Sequence, residues 1–195
     1  MRVIAGKYRS RTLRSLPGLD LRPTADRLRE TLFNVLTAGN PDALAGTVWI
    51  DLYAGTGAVG IEALSRGAAM AYFVERTVER SGLIRKNLAL LRIEGGFQVL
   101  TRDSIQGLRE LETEGIVADF VFLDPPYKMN EAYTQSLSHL AQSRLLKSET
   151  VVIVEHEKKF ALAESFLLLQ RYRKLVQGDA ALSFYRMTDS GSGLT

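Results

Sequence analysis

Four consecutive residues, Asp124-Pro125-Pro126-Tyr127, could hold a planar amine for the transfer of a methyl group. An exocyclic amine on a nucleobase is a poor nucleophile, because its lone pair is delocalised into the ring. The Asp124 carboxylate can accept one N–H hydrogen and the Pro125 carbonyl the other, while the two prolines keep that carbonyl rigid. Tyr127 offers a ring on which the base can stack, and the acceptors stabilise the charge that develops on nitrogen. The tetrapeptide also fits an ordinary turn, so its interpretation depends on its position.

A glycine-rich loop about 70 residues earlier could bind the methyl donor. The loop consists of Asp51, Leu52, Tyr53, Ala54, Gly55, Thr56, Gly57, Ala58, Val59 and Gly60. Gly55 and Gly57 permit a tight turn and a close approach of the backbone to a ligand. Together with Gly60 they match the G-x-G-x-x-G pattern, which keeps an NAD-dependent oxidoreductase as an alternative. The Asp51 carboxylate disfavours a pyrophosphate, but it suits a ligand with an ammonium group, such as S-adenosylmethionine.

Four acidic residues lie at or just beyond the ends of four successive predicted strands: Asp51, Glu75, Asp103 and Asp124. The carboxyl ends of parallel strands share one edge of a sheet, and ligands bind there. Glu75 can accept the hydroxyl hydrogens of a ribose, which occurs in S-adenosylmethionine and in NAD alike. Four acids on one edge are difficult to explain by solvation alone, and they predict a ligand site.

The elements that must position these residues alternate between strand and helix. Strands are predicted at 48–53, 70–74, 97–100, 119–123 and 151–154, and helices at 58–66, 77–91, 103–114 and 131–140. This pattern indicates an α/β fold with a parallel sheet covered on both faces. An antiparallel pair is predicted at 166–176 and 181–187, a helix from residue 23, and a short strand pair around Gly6. We expect an N-terminal extension at 1–22, one domain at 23–188 and a disordered tail at 189–195.

Positive charge is concentrated at the N-terminus. Residues 1–40 hold eight Lys or Arg and three acids, a balance of +5, whereas the remaining chain has a balance of −2. Such a segment suits a polyanion or simply a solvated face. The chain has no cysteine, no apolar run long enough for a membrane helix and only two distant histidines. We therefore expect a cytoplasmic protein without a metal site, a membrane partner or a disulfide.

The chain resembles the bacterial 16S ribosomal RNA guanine-N2 methyltransferases called RsmD over about residues 2–187. The matching stretches read RVIAGKYRSRTL at 2–13, LRPTADRLRETLFNVL at 21–36, DLYAGTGAVGIEALSRGA at 51–68 and VFLDPPY at 121–127. The second stretch is the most specific, because the glycine loop and DPPY occur in many amino-methyltransferases. One departure is Ser10, where the pattern leads us to expect a glycine.

The resemblance implies a Rossmann-like class I methyltransferase with a mostly parallel seven-stranded sheet, an antiparallel C-terminal strand and a small N-terminal β-hairpin extension. The implied product is N2-methylguanine at the loop guanine conventionally numbered 966, within the small ribosomal subunit, and the implied donor is S-adenosyl-L-methionine. A monomer is expected.

The resemblance also implies a set of site residues. Those expected to touch the cofactor are Asp51, Tyr53, Ala54, Gly55, Gly57, Glu75, Asp103 and Ser104, with Asp103 and Ser104 near the adenine. Those expected to hold the guanine amine are Asp124, Pro125, Pro126 and Tyr127. Those expected to face RNA are Arg2, Lys7, Arg9, Arg11, Arg22, Thr24, Arg27, Arg29 and Asn34.

Three alternatives stay open from the sequence. An adenine-N6 or a glutamine-N5 methyltransferase would use a similar acceptor loop, although the resemblance at 21–36 ranks both lower. An NAD-dependent oxidoreductase would use the glycine loop alone. A non-catalytic RNA-binding module would use only the basic segment.

Overall fold

The computed structural model describes residues 1–15, 23–126 and 129–188, and the side chains of residues 23–25 are outside the description. Arg22, Tyr127 and the predicted tail therefore lie outside the described residues. The helices of the described part are α1 (Pro23–Leu36), α2 (Ala58–Ser65), α3 (Val78–Leu90), α4 (Ser104–Thr113) and α5 (Asn130–Leu140). The strands are β1 (Val48–Leu52), β2 (Met70–Glu75), β3 (Phe97–Thr101), β4 (Ala118–Leu123), β5 (Leu146–Glu157), β6 (Ser165–Phe166), β7 (Leu169–Gln177) and β8 (Ala180–Met187).

The strands form one sheet in the order β3-β2-β1-β4-β5-β8-β7-β6, in which β1 to β5 are parallel and β8, β7 and β6 pair antiparallel. The predicted fold class is confirmed, with eight strands rather than seven in the described part. The added strand is β6, which pairs with β7 over two residues. Leu167 turns the chain between them with a φ of 52°, so the single strand predicted at 166–176 is a tight hairpin.

Strand β5 is twelve residues long, much longer than the β-branched run at 151–154 predicts. Its first residues are polar, and polar partners hold them. The Thr150 hydroxyl donates to the Ala118 carbonyl at 2.6 Å, and Lys147 forms an ion pair with Asp119 at 2.5 Å. These contacts with β4 lie in tertiary structure, and a local hydrophobic pattern does not report them.

Two hydrophobic clusters cover the two faces of the sheet. The first contains α1, α2, α3 and the N-terminal extension, and its centre is a stack of Phe33, Trp49 and Phe120 with ring centroids 5.4 and 5.1 Å apart. The second contains α4 and α5, with Tyr133 and Tyr185 among its buried residues. No described helix is long and apolar enough to cross a bilayer. No group of three or more His, Cys, Asp or Glu in the described chain is arranged to hold a metal ion.

The N-terminal extension forms the expected strand pair, reduced to one bridge between Arg2 and Thr12. The Ser10 amide donates to the Val3 carbonyl at 2.8 Å and completes the turn. Ser10 has a φ of 67°, a left-handed conformation that glycine adopts without strain. The glycine that the resemblance leads us to expect would therefore suit this position better than serine.

Buried polar groups of α2 hold the extension on the domain. The Glu62 carboxylate is completely buried and accepts from the Ile4 amide at 2.7 Å and the Ala5 amide at 2.9 Å. Arg66 neutralises Glu62 at 2.8 Å. At Gly6 an added Cβ would lie 1.8 Å from the Ser65 carbonyl oxygen, so only glycine fits this contact. The extension is thus docked through its backbone, which leaves its basic side chains exposed.

Candidate active site

The carboxyl ends of β1 to β4 surround a cavity of about 1020 Å³. It opens between β1 and β4, where the strand order reverses and where sheets of this kind bind ligands. The cavity brings together most of the residues that the two motifs predict: Asp51, Tyr53, Ala54, Gly55, Glu75, Asp103, Ser104, Asp124, Pro125 and Pro126. Thus the glycine loop and the acceptor loop form two sides of one site.

The glycine loop is closed by backbone geometry. Gly55 and Gly57 have φ values of 56° and 78°, and the Gly57 amide donates to the Ala54 carbonyl at 2.7 Å. Gly57 does not line the cavity. It lies beneath the loop, where an added Cβ would come within 3.1 Å of Ile84. Gly60 lies against β2, and an added Cβ would lie 2.4 Å from the Phe73 ring. The third glycine of the pattern therefore serves close packing of helix on sheet.

Two carboxylates fix this loop from below. The Asp51 Oδ2 atom accepts from the Gly60 amide at 2.9 Å. The Glu75 Oε2 atom accepts from the Gly55 amide at 3.0 Å, and its Oε1 atom accepts from the Thr77 amide at 3.1 Å. Each carboxylate oxygen has further lone pairs, so both groups can still accept from a ligand. Glu75 ends β2 and lines the cavity.

Tyr53 joins three segments at the cavity wall. Its φ of 71° is unusual for a residue other than glycine. Its hydroxyl is 2.8 Å from the Ser104 Oγ and 2.8 Å from the Ser136 Oγ, on α4 and α5. Asp103 caps α4 by accepting from the Gln106 amide at 3.0 Å. Ser136 did not stand out in the sequence, because nothing local marks a serine on α5 as a neighbour of Tyr53.

The acceptor loop is less enclosed. Asp124 follows β4, is partly exposed, and its carboxylate accepts no hydrogen bond from any described residue. The carbonyl of the buried Pro125 accepts from the Tyr133 hydroxyl at a long 3.4 Å and keeps a second lone pair. The Pro126 carbonyl accepts from the Met129 amide at 2.8 Å. The two acceptors predicted for an amine are thus both available.

Negative charge is crowded in the cavity. The pKa of Asp51 is raised to about 7 by burial and, to a smaller extent, by the charges of Asp124 and Glu75, against the opposing effect of the Gly60 hydrogen bond. Burial also raises the pKa of Asp124 to about 7. Neighbouring carboxylates of this kind favour a positively charged ligand, which would relieve their mutual repulsion. A sulfonium with an ammonium group fits this set of acceptors.

Most of the expected RNA-facing residues lie at the surface. The described exposed ones are Arg2, Lys7, Arg9, Arg11, Arg27 and Asn34. Thr24 is in the first turn of α1, and its side chain is not among those described. Arg29 differs from the expectation, because only 6% of it is exposed. Its guanidinium donates to the Arg2 carbonyl at 2.5 Å and to Asp26 at 3.1 Å, so it joins the extension to α1.

A further residue, Asn87 of α3, escaped the sequence analysis. It is fully buried, its Oδ1 accepts from the Arg14 amide at 2.8 Å, and its Nδ2 donates to the carbonyls of Arg14 at 3.1 Å and Thr56 at 2.9 Å. Asn87 therefore links the extension to the glycine loop. The sequence signal that could have identified Asn87 is its polar side chain on the apolar stripe of α3, beside Ile84 and Leu88.

Several known proteins are similar to this chain over most of its length. A protein-family model described as "Conserved hypothetical protein 95" matches residues 1–186. The Ribosomal RNA small subunit methyltransferase D of Escherichia coli is 34% identical over 98% of this chain and 92% of its own. The protein of that name from Haemophilus influenzae is 36% identical over 81% of this chain and 79% of its own.

Solved structures agree as well. An Escherichia coli structure described as a methyltransferase, yhhF, superimposes with a TM-score of 0.81 at 30% identity, covering 97% of this chain and 99% of the other. The fold is therefore that of a methyltransferase, as predicted. The chain belongs to the RsmD family, described as Conserved hypothetical protein 95.

Proposed function

We propose that this protein transfers a methyl group from S-adenosylmethionine to the exocyclic N2 of a guanine in 16S ribosomal RNA of the small subunit. The observation that carries the proposal is the position of Asp124 and Pro125 across one cavity from the glycine loop. Family membership supports S-adenosylmethionine as the donor. The names of the relatives support an RNA of the small subunit as the acceptor.

The donor side has the groups that S-adenosylmethionine requires. Asp51 and the loop backbone would hold its methionine part, and Glu75 its ribose hydroxyls. Asp103 and Ser104 would lie by its adenine. When bound, this cofactor supplies a methyl group on a positively charged sulfur, which leaves as a neutral thioether.

The acceptor side prepares the amine. The Asp124 carboxylate and the Pro125 carbonyl would accept its two N–H hydrogens, which turns the nitrogen lone pair toward the donor. As the N–C bond forms, both oxygens stabilise the positive charge on nitrogen. The surplus proton leaves from that nitrogen, and Asp124 in its ionised form can receive it and pass it to solvent. Tyr127 is proposed as the stacking platform for the base.

The RNA-facing surface is proposed to be the extension and α1. Exposed Arg2, Lys7, Arg9, Arg11 and Arg27 would contact phosphates, with Asn34 beside them. Arg29 is not carried into this role, because it lies inside the protein. We also propose that residues 1–22 form an extension and that residues 23–188 form one domain.

One experiment tests the reaction and its specificity. The protein is incubated with undermethylated 30S subunits and S-adenosylmethionine labelled in its methyl group, and the RNA is digested to nucleosides. We expect the label in N2-methylguanosine at one nucleotide, and a much slower incorporation with an Asp124→Ala variant that still binds the cofactor. Label in N6-methyladenosine or in protein glutamine would contradict the proposal in favour of the other amino-methyltransferases.

A further inference from the structure

The chain contains a second basic segment at its C-terminal end. Residues 158–187 hold six Lys or Arg and two acids, a balance of +4. Residues 41–157 hold eleven basic and sixteen acidic residues, a balance of −5. The positive charge of the molecule is thus divided between its two ends, and the C-terminal share lies largely on β7 and β8.

Four of the six cations of this segment, three of them on the strands, have no carboxylate partner in the described part of the chain. Lys158 pairs with Asp179 at 2.8 Å, and Arg171 pairs with Glu164 at 2.6 Å. The other three on these strands have no carboxylate partner within the described part of the chain: Arg173, Lys174 and Arg186. All three are exposed. Unpaired cations on adjacent strands repel one another, so a polyanion that binds there would reduce this electrostatic repulsion.

An exposed aromatic ring lies against one of these cations. Half of Tyr172 is exposed, and the Arg186 guanidinium lies 4.9 Å from the centre of its ring. The Arg173 guanidinium lies 6.0 Å from the ring of the buried Phe184. A register shift between Arg171 and Arg173 makes Tyr172 the extra residue of β7. Bulges of this kind redirect a side chain out of the regular alternation of a strand.

Arg173, Tyr172 and Arg186 lie on the same face of the sheet as the N-terminal basic segment, whereas Lys174 pairs with Ser183 and lies on the other face. Phe184, beneath Arg173 and Tyr172, belongs to the hydrophobic cluster that contains Val3 of the extension and Leu28 of α1. The neighbouring Tyr185 belongs to the cluster on the opposite face. Two basic segments from opposite ends of the sequence are therefore brought to one side of the fold.

We propose that the exposed face of β7 and β8 is a second RNA-binding surface, on which Arg173 and Arg186 contact phosphates and Tyr172 stacks against a base. The inference rests on the proposed function, because it requires an RNA substrate. It extends the contact from the methylated nucleotide to a second part of the same RNA. An intramolecular contact between Arg186 and Tyr172 alone would not explain the unpaired Arg173 on the same face.

The test measures affinity for a protein-free 16S RNA fragment and for 30S subunits at several salt concentrations. Arg173→Gln and Arg186→Gln should each weaken binding and lower the slope of log K against log salt by about 0.7–0.9. Tyr172→Ala should weaken binding about 5- to 150-fold without changing that slope. The matched control is Arg109→Gln on α4, an exposed arginine on the opposite face, which should bind like the wild type. Melting curves verify that each variant is folded.

The outcomes separate this inference from the proposed function. If Arg27→Gln weakens RNA binding while the β7 and β8 variants match Arg109→Gln, the second surface is refuted and the proposed function stands. If the wild type neither binds nor methylates RNA, the proposed function itself fails. If the β7 and β8 variants lose affinity for 30S subunits but not for protein-free RNA, the surface contacts a ribosomal protein, and the inference is overturned.

Discussion

The two sides of the cavity differ in how the protein satisfies their polar groups. On the donor side, Asp51 and Glu75 already accept hydrogen bonds from the loop that they support. On the acceptor side, Asp124 accepts none from the described residues, and Pro125 accepts only a long one. The donor side is therefore preformed, while the acceptor side keeps its hydrogen-bonding capacity for the substrate. Changes on the donor side should lower stability, and changes on the acceptor side should lower the rate.

The largest expected effect is on the acceptor side. Asp124→Ala should lower the rate of methyl transfer about 100- to 1000-fold, because one fixed acceptor of the amine is lost. Its melting temperature should not fall, because the Asp124 carboxylate accepts no hydrogen bond from a described residue that the substitution would remove. Single-turnover kinetics and thermal melting measure the two effects, and Glu131→Ala on α5 is the control for loss of a nearby acid. A folded Asp124→Ala protein with the wild-type rate would remove the acceptor side from the chemistry.

The donor side should respond in the opposite way. Gly60→Ala should lower the free energy of unfolding by about 1–3 kcal/mol, because its Cβ would lie 2.4 Å from the Phe73 ring. Gly82→Ala in α3 is the matched control, since nothing lies within 4 Å of its added Cβ. That variant should gain about 0.5–1 kcal/mol from helix propensity. Urea unfolding measures both, and equal stabilities would contradict close packing at Gly60.

A smaller effect concerns pH. Because the pKa of Asp51 is raised from 3.8 to about 7, the native state retains a proton that the unfolded chain has already released. This contribution to stability is complete below about pH 4 and is lost as the pH rises through about 7. We expect the free energy of unfolding to fall across this range, and Asp51→Asn to flatten the decline. An unchanged profile in Asp51→Asn would assign the decline to Asp124.

The smallest effect should come from the exposed basic side chains of α1. Arg27→Gln on α1 should weaken RNA binding and lower its salt slope by about 0.7–0.9, without changing the affinity for S-adenosylmethionine. Filter binding and calorimetry measure the two affinities. A loss of affinity for the cofactor would show that Arg27 supports the donor side instead.

The local sequence predicts where a residue lies in the fold when its motif coincides with the end of a strand. Gly55, Gly57 and Asp124 lie where strands end, and the alternation of strands and helices places those ends on one edge. Contacts between distant segments were not predictable. Arg29 reads as one more basic residue of α1, yet the fold turns it inward, and Ser136 becomes a neighbour of Tyr53 only after α5 packs.

The charge pattern shows the same limit. The net charge of residues 41–195 does not reveal the basic C-terminal segment, because acidic residues in the middle of the chain cancel its positive charge. Only the fold reveals that both basic segments share one face of the sheet. The length of β5 and the short strand β6 were missed for a related reason, since polar cross-strand contacts and a single left-handed residue determine them.

The link through Asn87 has a dynamic consequence. One buried amide bonds both the backbone of Arg14 and the carbonyl of Thr56, so the extension cannot detach without releasing the glycine loop. The amide hydrogens of Arg14 and of the loop should then exchange with solvent in a single cooperative opening. An RNA that holds the extension in place would slow that opening, and the donor site would stay assembled for as long as the acceptor is engaged.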